Sequence, residues 1–580
     1  MIILGLNAYH ADSAACIIKD GKLICAVEEE KFRRIKHWAG FPAHAIMYCL
    51  EAAGIQFPDI DHIALNRDPK AHLGKKAMSV IKKGLSPGLA RDRLKSAPKI
   101  NDIKTELMMT FRLKHSDIPA KVHNVEHHIA HLASAYLVSP YKKAAIVSVD
   151  SFGDFVSAMW GIGEDNKIDV MDRIYFPHSL GLFYLAFAQF LGFPKYGDEY
   201  KIMGLAAFGK PTELNKMANV IELEEAGRFK LNLDYFTHHI HGTSMTWEGG
   251  EPEIGPVYSE AMEREFGGAR KKKDPVSKQH ENIASSMQAM YEEAFFHLLN
   301  HVFERTNTSA LCLAGGCAMN SVANGKIFDR TSFKELYIPP AAGDAGGAIG
   351  CAYYVYHSLI SEHQRFTMHD AYWGPEYTDD AIQKTIDSYA DKLKAFQIEK
   401  TKDDDDLCRK AAKQISEGKV VGWFQGRMEW GSRALGNRSI VADPRRDEMK
   451  FVLNGRIKRR ETFRPFAPSI LIEKVGEYFE KVYPDPFMLK VYPIKSGKRT
   501  VIPAVTHVDG TGRLQTVDKF ENPLYWNLIH EFEKITGVPI VLNTSFDENE
   551  PIICKPEEAI ECFLKTKMDV LVLGSYIIKK

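Results

Sequence analysis

The residues of this chain best suited to chemistry lie in Glu126-His127-His128-Ile129-Ala130-His131. No Gly or Pro interrupts the stretch to Ser139. It is therefore expected to form a helix that presents His127 and His131, four residues apart, on one face. Two imidazoles at that spacing can grip one cation. Carboxylates are at hand to complete the set. Asp150 closes the apolar run Ala144-Ala145-Ile146-Val147-Ser148-Val149, which reads as a buried strand, and Asp344 opens a small-residue helix in Gly343-Asp344-Ala345-Gly346-Gly347. His127, His131, Asp150 and Asp344 are thus a candidate divalent-metal site. Imidazole suits iron, zinc and manganese alike, so the residues alone do not choose the ion. The competing reading is a partly buried amphipathic face with no metal.

Two further groups could handle phosphates. Ala314-Gly315-Gly316-Cys317-Ala318-Met319-Asn320 follows a predicted strand at Ala310–Leu313. Paired glycines between strand and helix let backbone N–H groups approach phosphate or ribose. Gly315, Gly316 and Asn320, with Gly343, form a candidate nucleotide loop. The other group occupies four loops late in the chain. These are Gly426-Arg427-Met428-Glu429-Trp430-Gly431-Ser432-Arg433, Lys458-Arg459-Arg460-Glu461-Thr462-Phe463-Arg464-Pro465, His507-Val508-Asp509-Gly510-Thr511-Gly512-Arg513 and Asn543-Thr544-Ser545-Phe546-Asp547. Arg offers forked donors to phosphate oxygens and Gly lets the backbone come close, so the loops suit a concave polyanion site. Arginines in surface ion pairs are the alternative.

Positioning these groups falls to a repeated plan. Residues 2–28 read as strand, turn, strand, a tight Asp20-Gly21 hairpin, and strand. Residues 144–173 repeat it. The pair is expected of an internally duplicated sugar-kinase/actin-like ATPase domain, whose two turns face each other across a nucleotide cleft; two unrelated hairpins would look the same. The mixed-charge run Glu28 to His37 has the composition of a solvated face, yet it leaves a buried strand and is placed to reach that cleft. Residues 74–100 are basic and read as a mobile insertion or lid, residues 178–210 as an acceptor-binding region, and residues 233–275 as surface loops. A long amphipathic helix is expected over 281–305. The pattern loosens over 358–405, which sets the expected domains at 1–360 and 361–580. Asp403 to Asp406 then favour the start of a helix over 406–416, and a strand at Lys419–Phe424 leads into the arginine loops.

Composition limits the partners. Lys+Arg and Asp+Glu are equal at 75 each, so no overall charge favours a nucleic acid or an anionic membrane. The chain opens on the strand-like Ile2-Ile3-Leu4-Gly5-Leu6 rather than a secretory signal, and Gly181 to Phe193, its most apolar run, is short for a bilayer. Nine scattered cysteines without a CxxC pair suggest reduced thiols and a cytoplasmic location.

These motifs resemble those of the O-carbamoyltransferases, the family of the nodulation-factor, cephamycin, novobiocin and tobramycin carbamoyltransferases. The likeness rests on Leu4-Gly5-Leu6-Asn7…His10…Ser13-Ala14-Ala15, Glu28-Glu29-Glu30-Lys31-Phe32, the HxxxH helix, Gly343-Asp344-Ala345-Gly346, Gly426-Arg427-Met428-Glu429-Trp430-Gly431…Arg433-Ala434-Leu435-Gly436 and Phe463-Arg464-Pro465-Phe466-Ala467-Pro468. It implies an α/β and α+β protein in which the ATPase-like domain is followed by a YrdC-like domain that makes carbamoyl adenylate. It implies iron(II) on His127, His131, Asp150 and Asp344, and His10 beside an acceptor hydroxyl. Arg433, Lys458, Arg464, Arg513 and Ser545 would hold carbamoyl phosphate and ATP, the latter with magnesium. Ala11-Asp12 stands where some members have Asp-Ala, and Ser432 where Pro is common. The expected activity is ATP-dependent transfer of a carbamoyl group from carbamoyl phosphate to a hydroxyl of a small molecule such as a natural product or sugar. No nucleic acid or membrane partner is expected, and a homodimer is compatible with the sequence. The rival readings are a sugar kinase or phosphatase, a tRNA threonylcarbamoyl-type modifying enzyme and a non-catalytic small-molecule-binding module. A kinase leaves the arginine loops idle, and neutral charge gives tRNA no footprint.

Overall fold

The computed structural model describes residues 1–76, 102–241, 245–246, 250–359 and 365–580. Most of the basic segment 74–100 lies outside the described residues. The chain divides into two compact units, Met1–Met368 and His369–Lys580, and each has its own sheet system.

The first unit holds two five-stranded sheets of one design. In the first, β1 (Ile2–Asn7), β2 (Ala14–Lys19) and β3 (Lys22–Glu28) form an antiparallel meander, and β4 (His62–Leu65) and β5 (Lys121–Asn124) extend it in parallel beside β1. In the second, β6 (Lys143–Gly153), β7 (Val156–Glu164) and β8 (Lys167–Tyr175) form the meander, while β9 (Ala310–Ala314) and β10 (Glu335–Tyr337) run parallel to β6. Strand order and sense are the same in both, so the duplication expected from the two hairpins is present in the topology. The turn Asp20-Gly21 has positive φ at both residues, 49° and 77°, as a two-residue hairpin of this twist requires.

Helices α1 (Ala43–Ala53), α2 (His127–Tyr136), α3 (Lys278–Thr306) and α4 (Gly347–Leu359) cover these sheets. α2 and α4 meet backbone to backbone: a Cβ on Gly350 would stand 1.9 Å from the Ala130 carbonyl oxygen. Only glycine allows that approach, and it brings the histidine helix against the helix that Asp344 precedes.

The charged run after β3 is partly internal. Glu29 is 0% and Lys31 1% exposed. Pro42 gives α1 no side-chain cap; instead the Glu29 Oε2 accepts from the Ala45 N–H at 2.8 Å, and Oε1 lies 2.8 Å from His44 Nδ1 and 3.0 Å from Arg33 Nε. A carboxylate at a helix N-terminus satisfies an orphan donor and suits the helix dipole. Pairing is what permits these charges inside. Residues 233–275 are likewise more than loops. Helix Glu260–Phe266 buries Met262 and Phe266, and Arg270, from the basic tetrad expected at the surface, is buried with its guanidinium on the Leu191 and Asp274 carbonyls.

The second unit is built on one nine-stranded mixed sheet. Its order is β11 (Gln397–Lys400), β19 (Tyr576–Lys579), β18 (Val570–Leu573), β12 (Val421–Phe424), β13 (Arg438–Ala442), β17 (Ile540–Ser545), β14 (Ala467–Leu471), β16 (Thr511–Val517) and β15 (Lys490–Pro493). Helices α5 (Asp404–Ser416) and α6 (Pro523–Thr536) bury Leu407, Ala411, Ile415, Leu528, Ile529 and Phe532 in its core. The Asp403 side chain caps α5 by accepting from Asp406 N–H at 2.8 Å. No helix among the described residues is long and apolar enough to cross a membrane.

Candidate metal and anion centres

In the first unit the candidate groups follow the carboxyl ends of parallel strands, the usual place for a ligand crevice in such sheets. His10 comes after β1, His127 after β5, Gly315 after β9 and Asp344 after β10, while Asp150 sits within β6. The N-terminus of α2 is held by two carboxylates. Glu126 Oε2 accepts from Ile129 N–H at 2.9 Å, and Asp154 Oδ2 accepts from His127 N–H at 3.0 Å and Asp68 N–H at 2.8 Å. Asp154 and Phe155 form the β6–β7 turn at φ 47° and 79°. That is unfavourable backbone for a phenylalanine, retained where it aims Asp154 at α2.

His127 and His131 face the same space, with their Nε2 atoms 2.9 Å apart. Asp150 Oδ2 stands 3.3 Å and 3.1 Å from them, and Asp344 Oδ1 3.6 Å from each. All four residues are buried. Ligand atoms about 2.1 Å from a tetrahedral centre stand about 3.4 Å apart, so these separations suit one small cation. Asp344 Oδ1 is buried with no hydrogen-bond partner, the state of an oxygen meant for a metal. The residues therefore fit the divalent ion that the sequence suggests. Burial opposes charge on both carboxylates, yet hydrogen bonds from the two imidazoles hold Asp150 well below the usual range. Asp344 is held at about 2, with His10 the main charge outweighing its burial. His128 points elsewhere: its Nε2 donates to the Val156 carbonyl at 2.9 Å and its Nδ1 lies 2.7 Å from Ser148 Oγ. Burial and the neighbouring imidazole of His127 keep it near 3, a neutral packing residue.

Asp344 divides its two oxygens between tasks. While Oδ1 faces the histidine pair, Oδ2 lies 2.6 Å from His10 Nδ1 and 3.4 Å from the Tyr196 hydroxyl. The His10 and His127 rings are 5.1 Å apart. Burial lowers the His10 pKa, but Asp344 more than offsets this and raises it. Gly316 N–H donates to Asp150 Oδ1 at 3.3 Å, and a Cβ on Gly343 would stand 4.0 Å from the Gly316 Cα. Gly315, Gly316 and Gly343 thus lie together beside Asp150. The Asn320 side chain is engaged apart from them, accepting from Ala323 N–H at 3.0 Å and exchanging hydrogen bonds with Gln288.

Asp12, Glu30 and His37 also offer ligand atoms within 4.8 Å of one another. They form an ion-pair network instead: His37 Nδ1 is 2.7 Å from Asp12 Oδ1, and the Lys31 ammonium is 2.7 Å from Glu30 Oε1. A cation seated there would meet an ammonium.

In the second unit the arginines separate into builders and a charged cluster. Glu429, 1% exposed, accepts on Oε1 from the N–H groups of Leu435, Asn437 and Arg438 at 2.7, 2.8 and 3.1 Å. It folds the Gly426–Ser439 loop around itself. Arg438, fully buried, spends its guanidinium on carbonyls of Gln425, Gly426, Asn437 and Pro375. Arg427 donates to the Trp373 and Gly374 carbonyls. By contrast, Arg513 is driven well below its ordinary value by burial and then by the charges of Arg433, Arg460 and Arg464. Four guanidiniums whose charges act on one another make a candidate anion site. Lys458, 1% exposed, has its Nζ 3.1 Å from Ser545 Oγ and 3.0 Å from Asp547 Oδ1. Burial lowers it to about 8 against the pull of Asp547, and Arg460 adds to the lowering. Arg460, absent from the predicted set, acts by its charge on both Lys458 and Arg513 and donates from Nε to Asn454 Oδ1 at 2.7 Å; it stands in the same motif as Arg464, and residue type alone does not separate the two.

Family models match both parts of the chain, "Carbamoyltransferase N-terminus" over residues 2–353 and "Carbamoyltransferase C-terminus" over residues 412–580. The chain belongs to the carbamoyltransferase family. Among relatives of this carbamoyltransferase, Nodulation protein NolNO of Sinorhizobium fredii is 38% identical over 99% of this chain and 80% of its own. An uncharacterized protein of Synechocystis sp. is 39% identical over 100% and 96%. Nodulation protein NolO of Bradyrhizobium diazoefficiens is 38% identical over 79% of each. Likeness to solved structures is slight: T. kodakarensis HypF aligns over 62% of this chain and 47% of its own at 13% identity, with a TM-score of 0.30. The carbamoyltransferase is a group-transfer enzyme acting on small-molecule acceptors.

Proposed function

We propose that this carbamoyltransferase makes carbamoyl adenylate from carbamoyl phosphate and ATP in residues 361–580, a YrdC-like domain, and passes the carbamoyl group to a hydroxyl of a small molecule in residues 1–360, an ATPase-like domain. The observation that carries the reading is that the charges of Arg433, Arg460 and Arg464 all act on half-buried Arg513. Such a cluster is electrostatically unfavourable until polyanions neutralise it. Water first attacks the phosphorus of carbamoyl phosphate, the P–O bond to the carbamoyl oxygen breaks, and inorganic phosphate leaves carbamate behind. A carbamate oxygen then attacks the α-phosphorus of ATP, the bond to the β-phosphate oxygen breaks and pyrophosphate departs. Arg433, Arg464, Arg513 and Lys458, with Ser545, hold these phosphates and lower the charge that opposes the attack.

In the transfer step an acceptor oxygen attacks the carbamoyl carbon, AMP leaves and the hydroxyl proton goes to His10. The Asp344 Oδ2 beside His10 Nδ1 orients the ring so that Nε2 is left for that proton. Gly315, Gly316 and Gly343 offer their backbone to the nucleotide, with Asn320 at the start of the next helix. A divalent ion on His127, His131, Asp150 and Asp344, iron(II) by resemblance, supplies Lewis acidity when bound. The test is pyrophosphate release from ATP. It is expected only when carbamoyl phosphate is present, and carbamoylated alcohol should then be found by mass. Pyrophosphate release without carbamoyl phosphate, or none with it, refutes the reading.

A further inference from the structure

The loop that carries Lys458, Arg460 and Arg464 is fastened by one buried side chain. A π-helical turn, Val452–Ile457, leads into the loop. There the Lys458 N–H donates to the Leu453 carbonyl, five residues back, at 2.8 Å. An ordinary α-helix would give that N–H to the Asn454 carbonyl. The wider turn instead leaves the Asn454 carbonyl to accept from Arg460 N–H at 3.0 Å. Between them Arg459 has φ 44°, a left-handed conformation that reverses the chain toward Asn454.

Asn454 is 1% exposed, and its carboxamide is engaged by the same loop. Nδ2 donates to the Thr462 carbonyl at 3.4 Å and to the Arg464 carbonyl at 3.1 Å, while Oδ1 accepts from Arg460 Nε at 2.7 Å. Carbonyls only accept and a guanidinium only donates, so these partners fix the orientation of the amide. Leucine would offer no polar atom there, and aspartate would turn a carboxylate oxygen against two carbonyls. Charge also favours the amide. Lys458, Arg460 and Arg464 are cations in one short loop, and like charges spread a loop that nothing holds. A neutral carboxamide fastens Arg460 without cancelling the positive charge that an anion needs.

We propose that Asn454 is the positioning residue of the candidate anion site: its uncharged carboxamide sets Arg460 and the Arg464 backbone in place for phosphate oxygens before the anion arrives. The assignment rests on the function proposed above for the second unit. Without this fastening the loop is ordered only part of the time, and affinity for the anion falls by that fraction. Saturating substrate restores the ordered loop, so KM rises while kcat is kept.

The experiment uses the full chain. Pyrophosphate release from ATP gives kcat and KM for carbamoyl phosphate, and calorimetric titration with inorganic pyrophosphate gives a Kd without turnover. Asn454→Ala is expected to raise both KM and Kd about 10- to 30-fold, with kcat within about threefold of wild type. Asn454→Asp keeps an acceptor for Arg460 but loses both carbonyl contacts and cancels charge, so it should raise both constants too. Asp403→Ala, which removes the cap of α5, is the control: it should lower the unfolding midpoint and leave KM and Kd unchanged. A merely structural Asn454 would match the control, with kcat per mole of protein reduced and KM and Kd unmoved, and that result overturns the assignment. If Asn454→Ala fails to fold, Asn454→Asp decides by the same two constants. A wild-type enzyme that binds pyrophosphate but releases none from ATP with carbamoyl phosphate overturns the proposed function, while the Kd comparison still decides Asn454. One that binds no pyrophosphate overturns both.

Discussion

Arginine serves two opposite ends within one motif. Arg438 is enclosed by carbonyls, whereas Arg513 is repelled by its own kind. Arg433→Ala or Arg464→Ala should each remove a charge-assisted contact of about 1.5–3 kcal/mol, seen as at least a tenfold fall in pyrophosphate release with metal content unchanged. Wild-type release from both variants would remove the phosphate role. Lys458 adds a pH signature. It is cationic below about 8 and neutral above, so kcat/KM for carbamoyl phosphate should fall as pH rises through that value. Lys458→Arg should lift the limb to higher pH if it folds. Because the folded pKa lies below the ordinary 10.5, the unfolded chain binds more protons between the two values and stability contributed by this group rises with pH there. A rate limb that stays near 8 in Lys458→Arg assigns it to another group.

Elements rather than single residues decide how accurately the candidate metal ligands meet. Gly153 ends β6 directly beneath the histidine helix, and a Cβ there would stand 1.9 Å from His127 Cδ2 and 2.0 Å from Cγ. Gly153→Ala should therefore displace the ring and weaken metal binding about 10- to 100-fold, as loss of supporting contacts does elsewhere, measured by metal content after dialysis. Retained metal would mean that β6 yields instead of the ring. Glu126→Ala should cost about 0.5–2 kcal/mol as a lost helix cap, read from denaturant unfolding. Helix α2, the duplicated hairpins and the strand into the arginine loops were legible in the sequence because hydrophobic period and turn residues write them plainly. The burial of Glu29 was not, because a charged residue enters the interior only with partners that arrive from elsewhere: Arg33, His44 and the end of α1. Nor did spacing separate Arg438 from Arg433, since the carbonyls that enclose the former leave no mark on residue type.

At the level of the whole molecule, each unit closes its own core, and each holds one of the two candidate centres. Residues 1–368 alone are expected to carbamoylate the right alcohol from supplied carbamoyl adenylate, but not from carbamoyl phosphate plus ATP. Residues 369–580 alone should release pyrophosphate without any acceptor. Mixing the halves should restore turnover at lower efficiency, because a labile anhydride must then cross water. Direct use of carbamoyl phosphate by the first half would end the two-centre scheme. The nine cysteines, every one free and buried, give a way to watch the two units separately. Burial pushes the thiols of Cys312 and Cys351 up to about 12, and alkylating reagents attack thiolates. In the native protein iodoacetamide should thus label almost nothing, and each modification records an opening. Cys16, Cys25, Cys49, Cys312, Cys317 and Cys351 would clock the first unit; Cys408, Cys554 and Cys562 would clock the second. If saturating phosphate slows only the second clock, the anion is felt as added rigidity in that unit alone, and the protein carries two independent stopwatches for its two halves.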